Sequence, residues 1–179
     1  MDRTGLARPI PQEVYQNRLK MSENQNPHPL IRAEAIKQLQ EHSFSHPWNN
    51  NSEIKGIFLG QAVGLQRIGI TLAHIPPGKE SFIYHSHQLE EEFIYILSGR
   101  GIAEIDDEEF EVGAGDFMGF PTPSVAHHLR NPFDENLVYI LGGERRLFDI
   151  ADFPRLQKRM FRNGAEVQIA NWDNLKPME

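Results

Sequence analysis

From Gly56 to Leu141 the chain breaks into short apolar runs separated at regular intervals by glycine, proline, aspartate and asparagine. Runs this brief do not suit helices, and their even spacing is what an antiparallel β-sandwich or barrel produces. The predicted strands are Ile57–Leu59, Leu65–Ile75, Phe82–His87, Phe93–Leu97, Gly101–Ile105, Glu109–Val112, Phe117–Phe120, His127–Arg130 and Leu137–Leu141. No repeated alternation of strand and helix occurs, which argues against a parallel α/β sheet. The turns have local chemistry. Asp106-Asp107 between Ile105 and Glu108 suits a tight hairpin, Gly113-Ala114-Gly115-Asp116 supplies permissive glycines for a bend, and Pro76-Pro77-Gly78 ends a strand because proline has no N–H to donate.

At 179 residues the chain has the size of one domain with extensions. Three segments are predicted: an arm over 1–53, a β-barrel over 54–145, and a segment over 146–179 packed on the barrel. The arm is rich in Asn, Gln, Pro and His, and its helical stretch is Leu30 to Gln40, where Ile31, Ala35 and Leu39 recur at i, i+4 and i+8. His28, His42 and His46 read there as exposed linker residues, although His46-Pro47-Trp48 is able to pack on the barrel. In the last segment, Arg145, Arg146, Arg155, Lys158, Arg159 and Arg162 read as a solvated outer face, with Trp172 anchoring the tail.

Charge and cysteine content exclude several classes. With 18 Lys and Arg against 25 Asp and Glu the net charge is −7, and no basic stripe offsets it, so neither nucleic acid nor an anionic membrane surface is an expected partner. Cysteine is absent, so a metal would be held by nitrogen and oxygen alone. Met1–Lys20 lacks the apolar core of a signal peptide, and no run approaches the length of a membrane span, so a cytoplasmic location is expected.

Strand parity bears on assembly. Ile83, His85 and His87 share one face, with Phe82 and Tyr84 on the other; Glu92, Ile94 and Ile96 oppose Phe93, Tyr95 and Leu97. Both faces are apolar, which predicts that these strands are covered by a second sheet, by the terminal arms or by another subunit, and a homodimer is the preferred expectation.

The densest chemistry lies in His85-Ser86-His87-Gln88-Leu89-Glu90-Glu91-Glu92, which runs into the strand pattern Phe93–Leu97. On a strand His85 and His87 point to the same side, close enough to hold one ion, and a carboxylate beyond the following turn can join them from the next strand. Glu92, Glu91 and Glu90 all compete for that role, Glu90 and Glu91 also reading as solvated turn residues. His127 and His128 offer a third imidazole, and as neighbours on a strand only one of them can face inward.

This pattern resembles the two signature motifs of the cupin superfamily. The first, G-x5-H-x-H-x3,4-E-x6-G, is matched by Gly78, His85, His87, Glu92 and Gly99, except that six residues separate Gly78 from His85. The second, G-x5-P-x-G-x2-H-x3-N, is matched by Gly115, Pro121, His127 and Asn131, with Pro123 in place of the glycine and one extra residue before the histidine. The resemblance covers roughly 56 to 145 and is nearest to the single-domain bacterial members. It implies an all-β, double-stranded β-helix (jelly-roll) barrel and a divalent metal held by His85, His87, Glu92 and His127. Iron or manganese is favoured, with zinc, nickel and cobalt compatible. The H-x3-N register favours His127 over His128, and the six-residue gap to Gly99 favours Glu92 over Glu91.

Four protein donors leave two positions of an octahedral ion open, which is a catalytic rather than a structural arrangement. The expected function is therefore a metalloenzyme acting on a small organic molecule, since dioxygenase, decarboxylase, lyase and isomerase activities all occur in proteins of this resemblance. A module that senses a small ligand without converting it is the alternative. No general base is named by the sequence; Tyr139, His74, Gln66 and Arg67 lie on predicted strands and are the residues that could face inward.

Overall fold

The structure is a computed structural model, which describes residues 27–176. The reading of Met1–Lys20 lies outside those residues. Thirteen strands are described: β1 (His42–His46), β2 (Asn49–Ile57), β3 (Ile68–Ile75), β4 (Ser86–His87), β5 (Glu92–Ser98), β6 (Arg100–Ile105), β7 (Glu108–Gly113), β8 (Phe117–Phe120), β9 (His127–Arg130), β10 (Leu137–Glu144), β11 (Phe148–Phe153), β12 (Lys158–Asn163) and β13 (Glu166–Asn171). They form a six-stranded sheet in the order β1-β2-β3-β10-β5-β8, a three-stranded sheet β7-β6-β9 and a four-stranded sheet β13-β12-β11-β4. The ladders are antiparallel, and the result is a jelly-roll barrel, within the sandwich-or-barrel class the strand pattern predicts and as the resemblance implies.

Alternation decides which side of each strand is core. Ile94 and Ile96 of β5, Leu137 and Tyr139 of β10, Ala73 and Ile75 of β3, Met118 and Phe120 of β8, Ala103 of β6 and Leu129 of β9 form one buried cluster. The opposite face of β5 and β8 remains exposed: Phe117 is 64% exposed, and its ladder partner Tyr95 is 42% exposed. Among the described residues nothing covers that row.

Several turns follow their local chemistry. Asp106 and Asp107 both take positive φ, 51° and 65°, which makes the two-residue hairpin between β6 and β7. Gly99 sits at φ 77°, and a Cβ there would stand 2.2 Å from the Asn136 carbonyl oxygen, so the motif position needs glycine for both conformation and space. Asn131 is buried and donates Nδ2 hydrogen bonds to the carbonyls of Ile75 (2.8 Å) and Glu135 (2.7 Å), closing the loop before β10.

The structure departs from the sequence reading at both ends. The helix predicted over Leu30–Gln40 shrinks to one turn, α1 (Ala33–Ile36), with no buried residue; its apolar positions had no surface to pack on. A second turn, α2 (Leu59–Ala62), takes the end of the predicted strand Ile57–Leu59, and β3 starts at Ile68 rather than Leu65. Two strands were missed inside the arm. β1 and β2 pair as a hairpin at the edge of the main sheet, where the polar run Asn49-Asn50-Asn51-Ser52 hid the strand period. The last segment forms β11–β13, and its arginines are not simply solvated: Arg155 pairs with Glu104 and lies over the Tyr84 ring, Arg159 donates to Asp152 at 2.7 Å, and Arg162 is 2.6 Å from Glu90. Trp172 is half-buried.

Candidate metal centre

His85, at an isolated bridge, and His87, on β4, face the barrel interior, and Glu92 opens β5 on the facing sheet. The bridge binds His85 to His127 through paired backbone hydrogen bonds, His127 N–H to His85 O at 2.8 Å and His85 N–H to His127 O at 3.1 Å. This brings the first residue of β9 beside the first histidine, with ring centroids 4.7 Å apart. The turn after β8, in which the Thr122–Pro123 peptide is cis, clamps His87: Ser124 Oγ accepts from the His87 N–H at 2.7 Å, and the Ser124 N–H donates to the His87 carbonyl at 2.8 Å.

The three Nε2 atoms converge on one carboxylate oxygen. Glu92 Oε2 lies 3.3 Å from His127 Nε2, 3.6 Å from His87 Nε2 and 4.0 Å from His85 Nε2. An ion with bonds of about 2.1 Å would have neighbouring donors about 3 Å apart; His85, His87 and Glu92 are grouped closely enough to hold one, and His127 Nε2 adjoins the same Glu92 oxygen. The other ring nitrogens are already engaged: His85 Nδ1 with the Ile83 carbonyl at 2.7 Å, His127 Nδ1 with the Val125 carbonyl at 3.2 Å, and His87 Nδ1 with Asp149 Oδ2 at 2.6 Å. In a neutral ring those contacts place the proton on Nδ1 and leave the Nε2 lone pair facing inward, which is the orientation metal ligation requires. The His127 ring is further held by stacking on Phe120 at 3.7 Å.

The electrostatics keep Glu92 ionised and His85 neutral. Burial, reinforced by the neighbouring His127 and His87, takes His85 down to about 3. Burial works against the Glu92 carboxylate, but the His127 hydrogen bond and the three imidazoles outweigh it and hold the carboxyl at about 2. For His87 burial is outweighed by the Asp149 hydrogen bond and the charges of Glu92 and Asp149, and the imidazole is raised above its ordinary 6.5.

The sequence candidates sort clearly in space. His85, His87, Glu92 and His127 come together. His128 turns instead towards Glu80 (3.8 Å) and Glu104 (4.0 Å), and Glu91 is exposed. Glu90 is not the solvated turn residue expected: it is 8% exposed, pairs with Arg162 and accepts the Arg146 N–H at 2.5 Å. Tyr139 faces inward and is almost fully buried, its phenol pushed upward by burial and by Glu92. Gln66 and Arg67 are exposed, and His74 faces Glu41 at 3.5 Å.

Sequence reasoning missed Asp149, which is fully buried on β11. Its signal was weak, an acid at an inward position of Phe148-Asp149-Ile150-Ala151. His46, read from the sequence as an exposed linker residue or one able to pack on the barrel, packs beside Phe153, lines the same space as the cluster and is lowered to about 4 by burial. His85, His87 and Glu92 border a cavity of about 420 Å³, whose walls include Phe44, Phe82, Phe153, Thr71 and Arg145. His127, with His85 and Glu92, lines a second chamber of about 60 Å³ together with Tyr139, Met118 and Phe120.

Comparisons with known proteins agree with this architecture. A model of the cupin domain matches residues 71–142. An uncharacterised protein of Methanocaldococcus jannaschii is 41% identical over 59 residues, 33% of this chain and 46% of that protein, so the match spans under half of the relative's length. Among solved structures, a candidate sugar phosphate isomerase from Acidithiobacillus ferrooxidans superposes with TM-score 0.81 at 35% identity, covering 84% of this chain and 96% of that one. A sugar phosphate isomerase of the same superfamily from Silicibacter pomeroyi gives TM-score 0.65 at 22% identity over 70% and 80% of the two chains, a likeness of fold.

Proposed function

Because the chain belongs to the cupin superfamily and gathers His85, His87 and His127 around Glu92 beside a large cavity, we propose that it is a metal-dependent enzyme acting on a small, oxygen-rich molecule, with isomerisation of a phosphorylated sugar as the favoured reaction. The observation that carries the reading is the convergence of three oriented Nε2 atoms on Glu92 Oε2 beside a cavity of about 420 Å³. That volume suits one small ligand. The sugar class is carried by the likeness to the Acidithiobacillus ferrooxidans protein.

A divalent ion held there would supply Lewis acidity, polarising a carbonyl or hydroxyl oxygen of the substrate. The chain's own residues do the rest. Glu92 brings the negative charge of the donor set, and Asp149 and the two backbone carbonyls hold the imidazoles in register. Phe44, Phe82 and Phe153 keep much of the wall dry, which strengthens every charge interaction inside. His46 is neutral near pH 7, and its Nδ1 accepts the Trp48 N–H at 3.3 Å, leaving a neutral Nε2–H as its donor.

The test has two stages. Plasma mass spectrometry of tag-free protein should find near-stoichiometric metal that Glu92→Ala loses, and the metal-loaded protein should interconvert aldose and ketose phosphates in a proton NMR assay. Absence of metal in the wild type after reconstitution would overturn the reading. Metal without turnover of any phosphorylated sugar would favour the sensing module instead.

A further inference from the structure

Along the inner face of the six-stranded sheet, the row of paired side chains on β3 and β10 ends in two glycines. Ile75 and Leu137 pair at the closed end, both fully buried. Ala73 faces Tyr139, Thr71 faces Leu141, and at the far end Gly69 faces Gly143. Both glycines line the cavity and neither lies in the left-handed region, so backbone freedom does not explain them. Space does. A Cβ on Gly143 would stand 3.1 Å from Glu92 Cγ, and a Cβ on Gly69 would stand 3.1 Å from Arg145 Nε. The glycine pair therefore makes room for two charged groups along one floor, the Glu92 carboxylate and the Arg145 guanidinium.

Arg145 follows the end of β10, is half-buried, and has its backbone fixed by an N–H donated to the Arg67 carbonyl at 2.8 Å. The other acids of the cavity do not leave an unopposed negative field. Glu90 is 2.6 Å from Arg162, Asp149 is 2.6 Å from His87, and Glu144 is 3.3 Å from Arg146. A planar guanidinium matches a phosphate or carboxylate with two parallel hydrogen bonds, and the aromatic lining lowers the local dielectric.

We propose that Arg145 is the specificity residue of this site, anchoring the anionic end of a substrate whose oxygen-bearing end meets the His85–His87–Glu92–His127 cluster across the Gly69–Gly143 floor. The inference rests on the enzyme reading above and sharpens its substrate class to two-headed molecules: an oxygen-donor head and, beyond the glycine floor, a phosphate monoester or a carboxylate.

The test uses three ligands with one ring that differ at a single carbon: glucose 6-phosphate, glucuronate and glucose, titrated calorimetrically into metal-loaded protein. The wild type should bind at least one of the two anions about 10–100-fold more tightly than glucose, the range of a charge-assisted pair, and whichever binds more tightly identifies the anion. Arg145→Ala should remove that preference while keeping its metal, and Arg145→Lys should restore part of it. Gly69→Ala, which keeps the arginine but displaces its guanidinium, should weaken anion binding without changing glucose binding. Preference for the anions that survives in Arg145→Ala, or equal binding of all three ligands by the wild type, would overturn the anchor alone. Failure of all three to bind metal-loaded wild type would instead overturn the sugar reading on which it rests.

Discussion

Replacing Asp149 by Asn tests the site where sequence reasoning was blind. The carboxylate is fully buried, holds His87 Nδ1 at 2.6 Å and also accepts the Leu89 N–H at 3.3 Å. Asparagine keeps the volume and one acceptor oxygen but removes the charge that fixes the imidazole. Loss of such an outer partner costs about 10–100-fold in metal affinity, or about 1.4–2.7 kcal/mol. The pH dependence gives a second signature. With Nδ1–H donated to Asp149, the ion competes with a proton for His87 Nε2, and that proton is favoured because the imidazole is raised above its ordinary 6.5. Wild-type affinity should therefore be full above the raised value and fall about tenfold per pH unit below it. Without the charge of Asp149 the competing protonation sets in at lower pH, so the deficit of the variant is largest near pH 8 and narrows towards pH 6. Competition with a fluorescent chelator at both pH values, with circular dichroism to confirm folding, measures this. A loss under threefold at pH 8 in a folded variant, or a deficit that widens as pH falls, would refute the role assigned to Asp149.

His85→Ala should lower bound metal by at least tenfold by plasma mass spectrometry, whereas His128→Ala, which faces Glu80 and Glu104, should keep it; metal retained in the first variant would count against the ligand set. Gly99→Ala forces a side chain into φ 77° and against the Asn136 carbonyl, and should cost at least about 2 kcal/mol in calorimetric unfolding, an unchanged melting temperature disproving the close approach. The exposed row of Phe117, Tyr95 and Leu97 should bury against a second copy, so light scattering should find a dimer that Phe117→Glu dissociates; a wild type that is monomeric at micromolar concentration would refute that assembly.

What the sequence revealed, and what it hid, follows from the range of the interactions involved. Among the strands from β5 to β10, β5 and β8 show a period of two with one buried face, as in Glu92-Phe93-Ile94-Tyr95-Ile96, and hairpin chemistry such as Asp106-Asp107 marks the ends of β6 and β7. The inward direction of His85, His87 and Glu92 follows from the same alternation. β1 and β2 were hidden because Asn49–Ser52 is polar on both faces, and an edge hairpin is recognised by what it packs on. Asp149 was hidden for a related reason: it lies 62 residues from His87, and only the pairing of β11 with β4 brings the two together.

Glu90 shows why local pattern cannot settle such cases. It belongs to the same acidic run as Glu91 and Glu92, yet the three have different fates within one turn of chain. Glu92 is aimed inward by the start of β5, Glu91 is left in solvent, and Glu90 is drawn under the C-terminal sheet by Arg162 and the Arg146 N–H. A buried carboxylate needs partners that compensate its lost hydration, and those partners come from 56 and 72 residues away in sequence (146 − 90 and 162 − 90). The C-terminal strands thus do more than cover the barrel. They supply the charges that let the acidic run enter the interior and supply, through Asp149, the group that orients His87; the candidate centre depends on them although none of its four donors lies there.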